Sequence, residues 1–241
     1  MSDTILIALA VLAGAVAAVS GFGIGSLLTP GLAVSMGTKI GVATVAIPHL
    51  AATAVRLWML RRHIDRGVVI TFGVASAVGG LAGSLLHAVV ASPVLAVVLG
   101  ILLVLGGASE LLGLAGRLKF PGPWAIIAGF LSGSFGGLVG NQGGVRSAAL
   151  LRFDLDRRAL IATATASAML VDLARTPVYL LSSGQDILDR WPLVLLLTGG
   201  VLAGTLLGGP LLRRIPETTF RRVLSVLLIG LGVMLILGID R

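Results

Sequence analysis

Several ionisable side chains lie within long apolar runs of this sequence. Arg56 and Arg175 each interrupt such a run, and Asp172 comes three residues before Arg175, on the same helix face. A charged residue in an apolar helix is costly and usually functional, and the guanidinium fork suits a carboxylate or a sulfur oxyanion. We therefore predict that Arg56 and Arg175 bind an anion. The alternatives are that Arg56 extends to the membrane interface and that Asp172 only neutralises Arg175.

Asp172 and His49 are the candidates for proton coupling, because a buried carboxylate or imidazole can bind and release a proton during transport. The alternative for His49 is a packing role. The chain has no cysteine, and its three histidines do not have the spacing of metal ligands. No nucleophile–base pair is visible either. We expect no metal, no cofactor, no catalytic residue and no enzymatic activity.

Two glycine-rich segments interrupt apolar runs: GFGIG at 21–25 and GNQGG at 140–144. Unwound backbone inside a membrane is tolerated where it lines a cavity, and the N–H groups at the start of a half-helix attract anions. We call residues 21–26 the first tip and residues 140–145 the second tip, and predict that they meet at an anion site. The alternative is that the glycines only permit close helix packing. The predicted substrate-binding residues are Gly21, Phe22, Gly23, Gly25, Ser26, Thr29, Arg56, Gly140, Asn141, Gln142, Gly144 and Arg175.

The elements that would position these residues are membrane-spanning helices. Hydrophobic residues make up 56% of the 241 residues, charged residues only 12%, and the mean hydropathy is +1.07. A soluble domain has about 25% charged residues, so this composition indicates an all-α integral membrane protein. About 20 apolar residues are needed for one crossing. Runs of that length fall at 40–60, 68–90, 93–115, 158–182, 191–212 and 217–239.

The remaining apolar runs are shorter and occur in pairs. Runs 4–20 and 22–36 flank the first tip, and runs 123–139 and 144–153 flank the second tip. We interpret each pair as a hairpin made of a broken helix, with its tip inside the membrane. Each half of the chain then contains one hairpin and three crossings.

Positive charges give the orientation. The net charge of +8 comes from short basic clusters between apolar runs, which is typical of cytoplasmic loops rather than of nucleic-acid binding. The neutral or acidic linkers at 91–93 and 183–190 are expected on the outside. This arrangement requires the second half to be inverted relative to the first. The basic clusters are Arg61, Arg62 and Arg66; Arg117 and Lys119; Arg152, Arg157 and Arg158; and Arg213, Arg214, Arg221 and Arg222.

An internal repeat supports two related halves, which we place at 1–116 and 117–241. Matching residues lie 119 positions apart over much of the chain, and inverted repeats with broken helices are common in secondary transporters. The matching pairs are Gly14 with Gly133, Gly21 with Gly140, Gly25 with Gly144, Lys39 with Arg158, Thr44 with Thr163, and Arg56 with Arg175.

Both glycine-rich segments resemble those of a known family. GFGIGSLLTP near the N-terminus and GFLSGSFGGLVGNQGG in the second half are similar to segments of TauE/SafE-type sulfite exporters and related permeases. The resemblance covers essentially the whole chain. It implies transport of a small organic or sulfur-containing anion, often outward.

These observations predict a secondary active permease that works by alternating access around a site at the membrane midplane. The expected substrates are sulfite, another sulfur oxyanion, a sulfonate or a short organic acid, with H+ as the coupling ion. The alternative is a passive, channel-like pore for a small solute. The expected location is the bacterial inner membrane, as a multi-pass protein in the lipid bilayer. A homodimer is one expected assembly, and no nucleic-acid partner is expected.

Overall fold

A computed structural model describes residues 2–113, 124–151, 153–212 and 216–238, and within these ranges the chain is helical and has no strand. Each apolar run of the sequence corresponds to one helix, so the predicted all-α class is confirmed. The helices are α1 (Asp3–Ser20), α2 (Ile24–Met36), α3 (Thr38–Leu60), α4 (Arg66–Val89), α5 (Ser92–Leu111), α6 (Trp124–Val139), α7 (Gly143–Leu150), α8 (Arg157–Leu188), α9 (Trp191–Leu212) and α10 (Glu217–Leu237).

Six of the described helices are long and apolar enough to cross a membrane: α1, α3, α4, α5, α8 and α9. Five of them are crossings that the sequence predicts. The other is α1, whose 18 residues reach spanning length although run 4–20 was assigned to a hairpin. The described apolar part of α10, Arg222–Leu237, is shorter. Length and composition therefore indicate a multi-pass membrane protein.

Polar and apolar side chains are distributed as a lipid environment requires. Large hydrophobic side chains cover the exterior, for example Leu81, Leu85 and Val89 along α4. The interior contains ionisable and hydroxyl side chains, including Thr53, Asp172 and Arg175, each no more than 1% exposed. Because lipid cannot satisfy hydrogen-bonding groups, the polar side chains are grouped where protein surrounds them.

Small residues set the closest helix contacts. α1 packs against α9, and α6 packs against α4. A Cβ atom at Gly14 of α1 would overlap the carbonyl oxygen of Val201, and one at Gly133 of α6 would overlap the carbonyl oxygen of Ser76. Glycine at helix interfaces lets backbones approach this closely and is a common packing device in membranes. Other close pairs among the described helices include α3 with α8, α5 with α10, α2 with α3, α3 with α9, and α4 with α8.

Both predicted helix breaks are present: α1 and α2 are separated at residues 21–23, and α6 and α7 at residues 140–142. The predicted crossing at 158–182 ends at a break in α8, because Ser183 has a non-helical φ of −138°. The residues predicted as a linker at 183–190 are not a loop throughout, since a short helical segment continues after this kink to Leu188. Ile187 is 1% exposed and packs with Tyr179 and Val194, which favours a further helical turn. The predicted boundary at residue 116 lies outside the described residues, as do Arg117, Lys119, Arg152, Arg213 and Arg214.

Candidate functional site

The two tips meet inside the helix bundle. Gly21 directly follows α1 and Gly140 directly follows α6, and both glycines adopt a positive φ, 79° and 73°. L-residues with a side chain rarely adopt this conformation, which ends a helix by turning the chain away from its axis. The following half-helices, α2 and α7, start at Ile24 and Gly143, so their first N–H groups lie next to the junction of the tips.

Direct contacts join the tips. The Ser26 hydroxyl of the first tip donates a hydrogen bond to Asn141 Oδ1 of the second tip at 3.1 Å. A Cβ atom at Gly25 would overlap the carbonyl oxygen of Gly140, and a Cβ at Gly143 would lie 3.0 Å from the Phe22 side chain. Backbone of one tip therefore lies against backbone of the other, and glycine at position 25 is required for this approach.

Arg56 of α3 and Arg175 of α8 make equivalent contacts with the two broken helices. Arg56 Nη1 donates to the carbonyl oxygen of Ala17 at 2.9 Å, and Arg175 Nη1 donates to that of Gly136 at 2.5 Å. The two arginines lie 119 residues apart, and so do the two carbonyl groups that they bind. Each guanidinium thus lies at the carbonyl end of a half-helix, where the helix dipole favours a cation. Arg56 is 4% exposed, so it does not extend to the membrane interface.

A polar network joins α3 and α8. Asp172 Oδ1 accepts from Arg175 Nε at 3.0 Å and lies 2.9 Å from Arg175 Nη2, and Asp172 Oδ2 lies 2.6 Å from His49 Nδ1. Thr53 Oγ1 lies 3.3 Å from the same histidine nitrogen and accepts from Arg56 Nη2 at 3.4 Å. Thr53 and Asp172 are themselves 119 residues apart. His49 is therefore held by equivalent positions of the two arginine-bearing helices.

The carbonyl end of α6 accepts further hydrogen bonds. The Tyr179 hydroxyl donates to the Gly137 carbonyl oxygen, and His87 Nδ1 lies 2.8 Å from the Leu138 carbonyl oxygen. The rings of His87 and Tyr179 make an edge-to-face contact at 4.9 Å between centroids. These contacts anchor the second broken helix to α4 and α8.

Arg146 of α7 enters the junction from the second half. It is 3% exposed, and its Nη2 donates to the Gly21 carbonyl oxygen at 3.2 Å. Among the described residues, its Nε and Nη1 atoms have no hydrogen-bond partner, and neither has Arg56 Nε or the side-chain amide of Gln142. Unpaired donors in a buried site cost free energy unless a ligand satisfies them. Unsatisfied cationic and amide groups therefore surround the junction.

A small cavity lies at this junction, with a volume of about 10 Å³, roughly the space of one water molecule. Nine of the predicted site residues line the cavity, together with three residues that were not predicted, Ile24, Gly143 and Arg146. The predicted residues that line it are Phe22, Gly23, Gly25, Ser26, His49, Arg56, Gly140, Asn141 and Gln142. The predicted residues that do not line it are Gly21, Thr29, Gly144, Asp172 and Arg175.

Arg146 is the functional candidate that sequence reasoning missed. It lies in the apolar run 144–153, and a cation within such a run is the same signal that identified Arg56. Beside this short run, Asn141 and Gln142 of the second tip were predicted as binding residues, whereas Arg146 was not.

The charges around the cavity do not cancel. Arg175 is paired with Asp172 at 2.9 Å, which leaves Arg56 and Arg146. Among the residues that the structure describes, no carboxylate lies within 4.0 Å of either guanidinium. The side of the junction that faces the cavity therefore holds two positive charges without a partner. Such an arrangement is costly when empty and is suited to binding an anion.

Comparison with known proteins agrees with this chemistry. The family model described as "Sulfite exporter TauE/SafE" matches residues 6–235, which is nearly the whole chain. No curated protein and no solved structure matches the chain.

Proposed function

This chain belongs to the TauE/SafE sulfite exporter family, and from that premise we propose that it is a secondary active transporter that carries a small divalent anion by alternating access. A transporter family with several apolar helices indicates a multi-pass membrane protein and is consistent with the absence of enzymatic activity. We propose the bacterial inner membrane as its location. The observation that carries the proposal is the junction of two tips around the unpaired cations Arg56 and Arg146.

Inverted halves, 1–116 and 117–241, are part of the proposal. Equivalent helices support it: α1 packs on α9 as α6 packs on α4, and α3 packs on α9 as α8 packs on α4. The matched contacts of Arg56 with Ala17 and of Arg175 with Gly136 support it further. In this arrangement each tip belongs to one half but packs between helices of both.

Alternating access is favoured by the size of the cavity. A space of about 10 Å³ is too small for a sulfur oxyanion, so the tips must separate before such an anion can enter. Movement of one half against the other would open the junction to one side at a time. The same small space does not favour the passive pore, which requires a continuous path.

The unpaired charges favour a divalent substrate. Sulfite as the dianion, sulfate and thiosulfate each carry two negative charges and several acceptor oxygens. Such an anion neutralises Arg56 and Arg146 together and accepts from the free Nε and Nη1 groups. The N–H groups at the starts of α2 and α7 supply further donors. A monovalent carboxylate or sulfonate leaves one cation unpaired, so we expect it to bind more weakly.

Binding to purified protein tests the substrate class. Sulfite, sulfate and thiosulfate should raise the melting temperature, whereas acetate and methanesulfonate at equal ionic strength should raise it less. Absence of any shift with all three divalent anions would contradict the proposed site. Counterflow of labelled sulfate in proteoliposomes separates the mechanisms, because a carrier shows saturable counterflow and a passive pore does not.

Single-cysteine labelling tests the inverted topology, since the chain has no native cysteine. Ala91→Cys and Gln185→Cys lie at exposed positions on the proposed outer side, and Arg62→Cys lies at an exposed position on the cytoplasmic side. An impermeant maleimide added to intact cells should label the first two and label Arg62→Cys only after lysis. Labelling of Arg62→Cys in intact cells would reject this orientation.

A further inference from the structure

His49 connects the anion cavity to the buried ion pair. Its side chain lines the cavity beside Arg56, and its Nδ1 lies 2.6 Å from Asp172 Oδ2. The Asp172 carboxylate that is hydrogen-bonded to this nitrogen is 0% exposed. Its other oxygen is paired with Arg175. The proposed anion-binding role of Arg56 and Arg146 does not use this histidine.

The hydrogen bond defines which ring nitrogen can take up a proton. An ionised carboxylate only accepts hydrogen bonds, so Nδ1 carries a hydrogen and donates it to Asp172. Nε2 is then the basic nitrogen. When Nε2 binds a proton, the positive ring is stabilised on one side by Asp172, and it gains an N–H donor on the side away from that carboxylate.

The surrounding charges make this proton dependent on the anion. The charged groups around His49 are Asp172 and Arg175 from α8, Arg56 on its own helix and Arg146 from α7. α2, α6 and α9, which also pack on α3, contain no ionisable residue in their ranges, and α5 contributes Glu110 near its end. With the cavity empty, a proton on His49 adds a positive charge next to two unpaired cations. A bound divalent anion removes that repulsion.

Building on the proposed function, we propose that His49 binds a proton together with the anion, so that each divalent anion is carried with one proton. Linkage requires the effect to be mutual: the anion increases proton binding at His49, and the proton increases anion affinity. Asp172 positions the ring and stabilises its charged form. The carrier is therefore a symporter of an anion and a proton, not an exchanger of one for the other.

Calorimetry with purified wild-type protein and sulfate tests the proposal, because sulfate keeps its charge across the range in which histidine titrates. Titrations in two buffers of different ionisation enthalpy give the number of protons taken up per sulfate. We expect uptake approaching one proton, and an affinity that falls by up to about tenfold per unit as the pH rises from about 6 to about 8. His49→Gln should bind sulfate without proton uptake and with an affinity that does not depend on pH.

His87→Gln is the matched control, because His87 is also buried, at 0% exposed, but does not line the cavity. It should keep the proton uptake of the wild-type protein. Sulfate binding by wild type without proton uptake, or with proton release, would overturn the proposal while leaving the anion site in place. Unchanged uptake in His49→Gln would also overturn it. If neither sulfate nor thiosulfate binds wild-type protein at any of these pH values, the anion site itself is wrong, and the coupling proposal is overturned with it.

Discussion

Gly25→Ala should reduce anion counterflow by at least about tenfold, although it adds only one methyl group. The added Cβ would overlap the backbone carbonyl oxygen of Gly140, and because the backbone fixes the position of a Cβ, no side-chain rotation can relieve the contact. The tips must move apart, and overpacking of this kind costs about 1–3 kcal/mol, where 1.4 kcal/mol is a factor of ten. Counterflow of labelled sulfate in proteoliposomes measures the loss, and size-exclusion chromatography checks that the variant is folded.

Gly144→Ala is the control that the repeat provides, because Gly144 is the equivalent of Gly25. A Cβ at Gly144 meets no atom of another described element within 4 Å, so this variant should keep the melting temperature of the wild-type protein or exceed it slightly. Full counterflow in Gly25→Ala would show that the tips need not approach each other as closely as the structure has them. Equal destabilisation by both substitutions would mean that positions 25 and 144 are packed equally tightly, which contradicts the open space around Gly144.

Arg146→Gln and Arg175→Gln should have opposite consequences, although the two arginines are buried to a similar degree. Within the described part of the chain Arg146 has no carboxylate partner, and two of its nitrogens are unsatisfied. Its removal should leave the melting temperature of the empty protein unchanged or higher, and should weaken sulfate binding by about 10- to 100-fold, since a hydrogen bond to a charged group contributes about 1.5–3 kcal/mol.

Arg175→Gln leaves Asp172 buried without its cation and removes a donor from the Gly136 carbonyl group. Breaking one partner of a buried pair costs about 3–5 kcal/mol, so we expect a large fall in melting temperature. The double variant Arg175→Gln/Asp172→Asn should recover much of that stability. Thermal melts with and without sulfate distinguish the two roles. An Arg146→Gln protein that binds sulfate like the wild type would remove Arg146 from the site.

The helices and both breaks could be predicted because they depend on local properties. Apolar runs define helices in a membrane, and the glycine-rich segments at 21–25 and 140–144 coincide with the two breaks, where Gly21 and Gly140 adopt a positive φ. The equivalence of Arg56 and Arg175 was also readable, since it depends on sequence spacing alone. Arg146 lies in a short apolar run and was not predicted, and only the structure shows its contact with Gly21, which is 125 residues away in the sequence.

The roles of equivalent residues could not be predicted in the same way. Arg56 and Arg175 both bind a carbonyl at a helix end, yet Arg56 lines the cavity and Arg175 is occupied by Asp172. The difference comes from the residue three positions earlier on each helix, which is Thr53 beside Arg56 and Asp172 beside Arg175. A carboxylate neutralises its arginine, whereas a hydroxyl leaves the positive charge available.

The sequence by itself determined the membrane class, the helix runs, the two breaks and the pairing of residues 119 positions apart, because hydropathy and glycine spacing act along the chain. Only the tertiary structure decided which residues face the cavity. It brings His49 of the first half to Asp172 of the second, and Arg146 of the second half to Gly21 of the first. The net charge of the site depends on which charged residues these contacts bring together. Contacts between distant segments depend on how the helices pack, and local patterns do not specify helix packing.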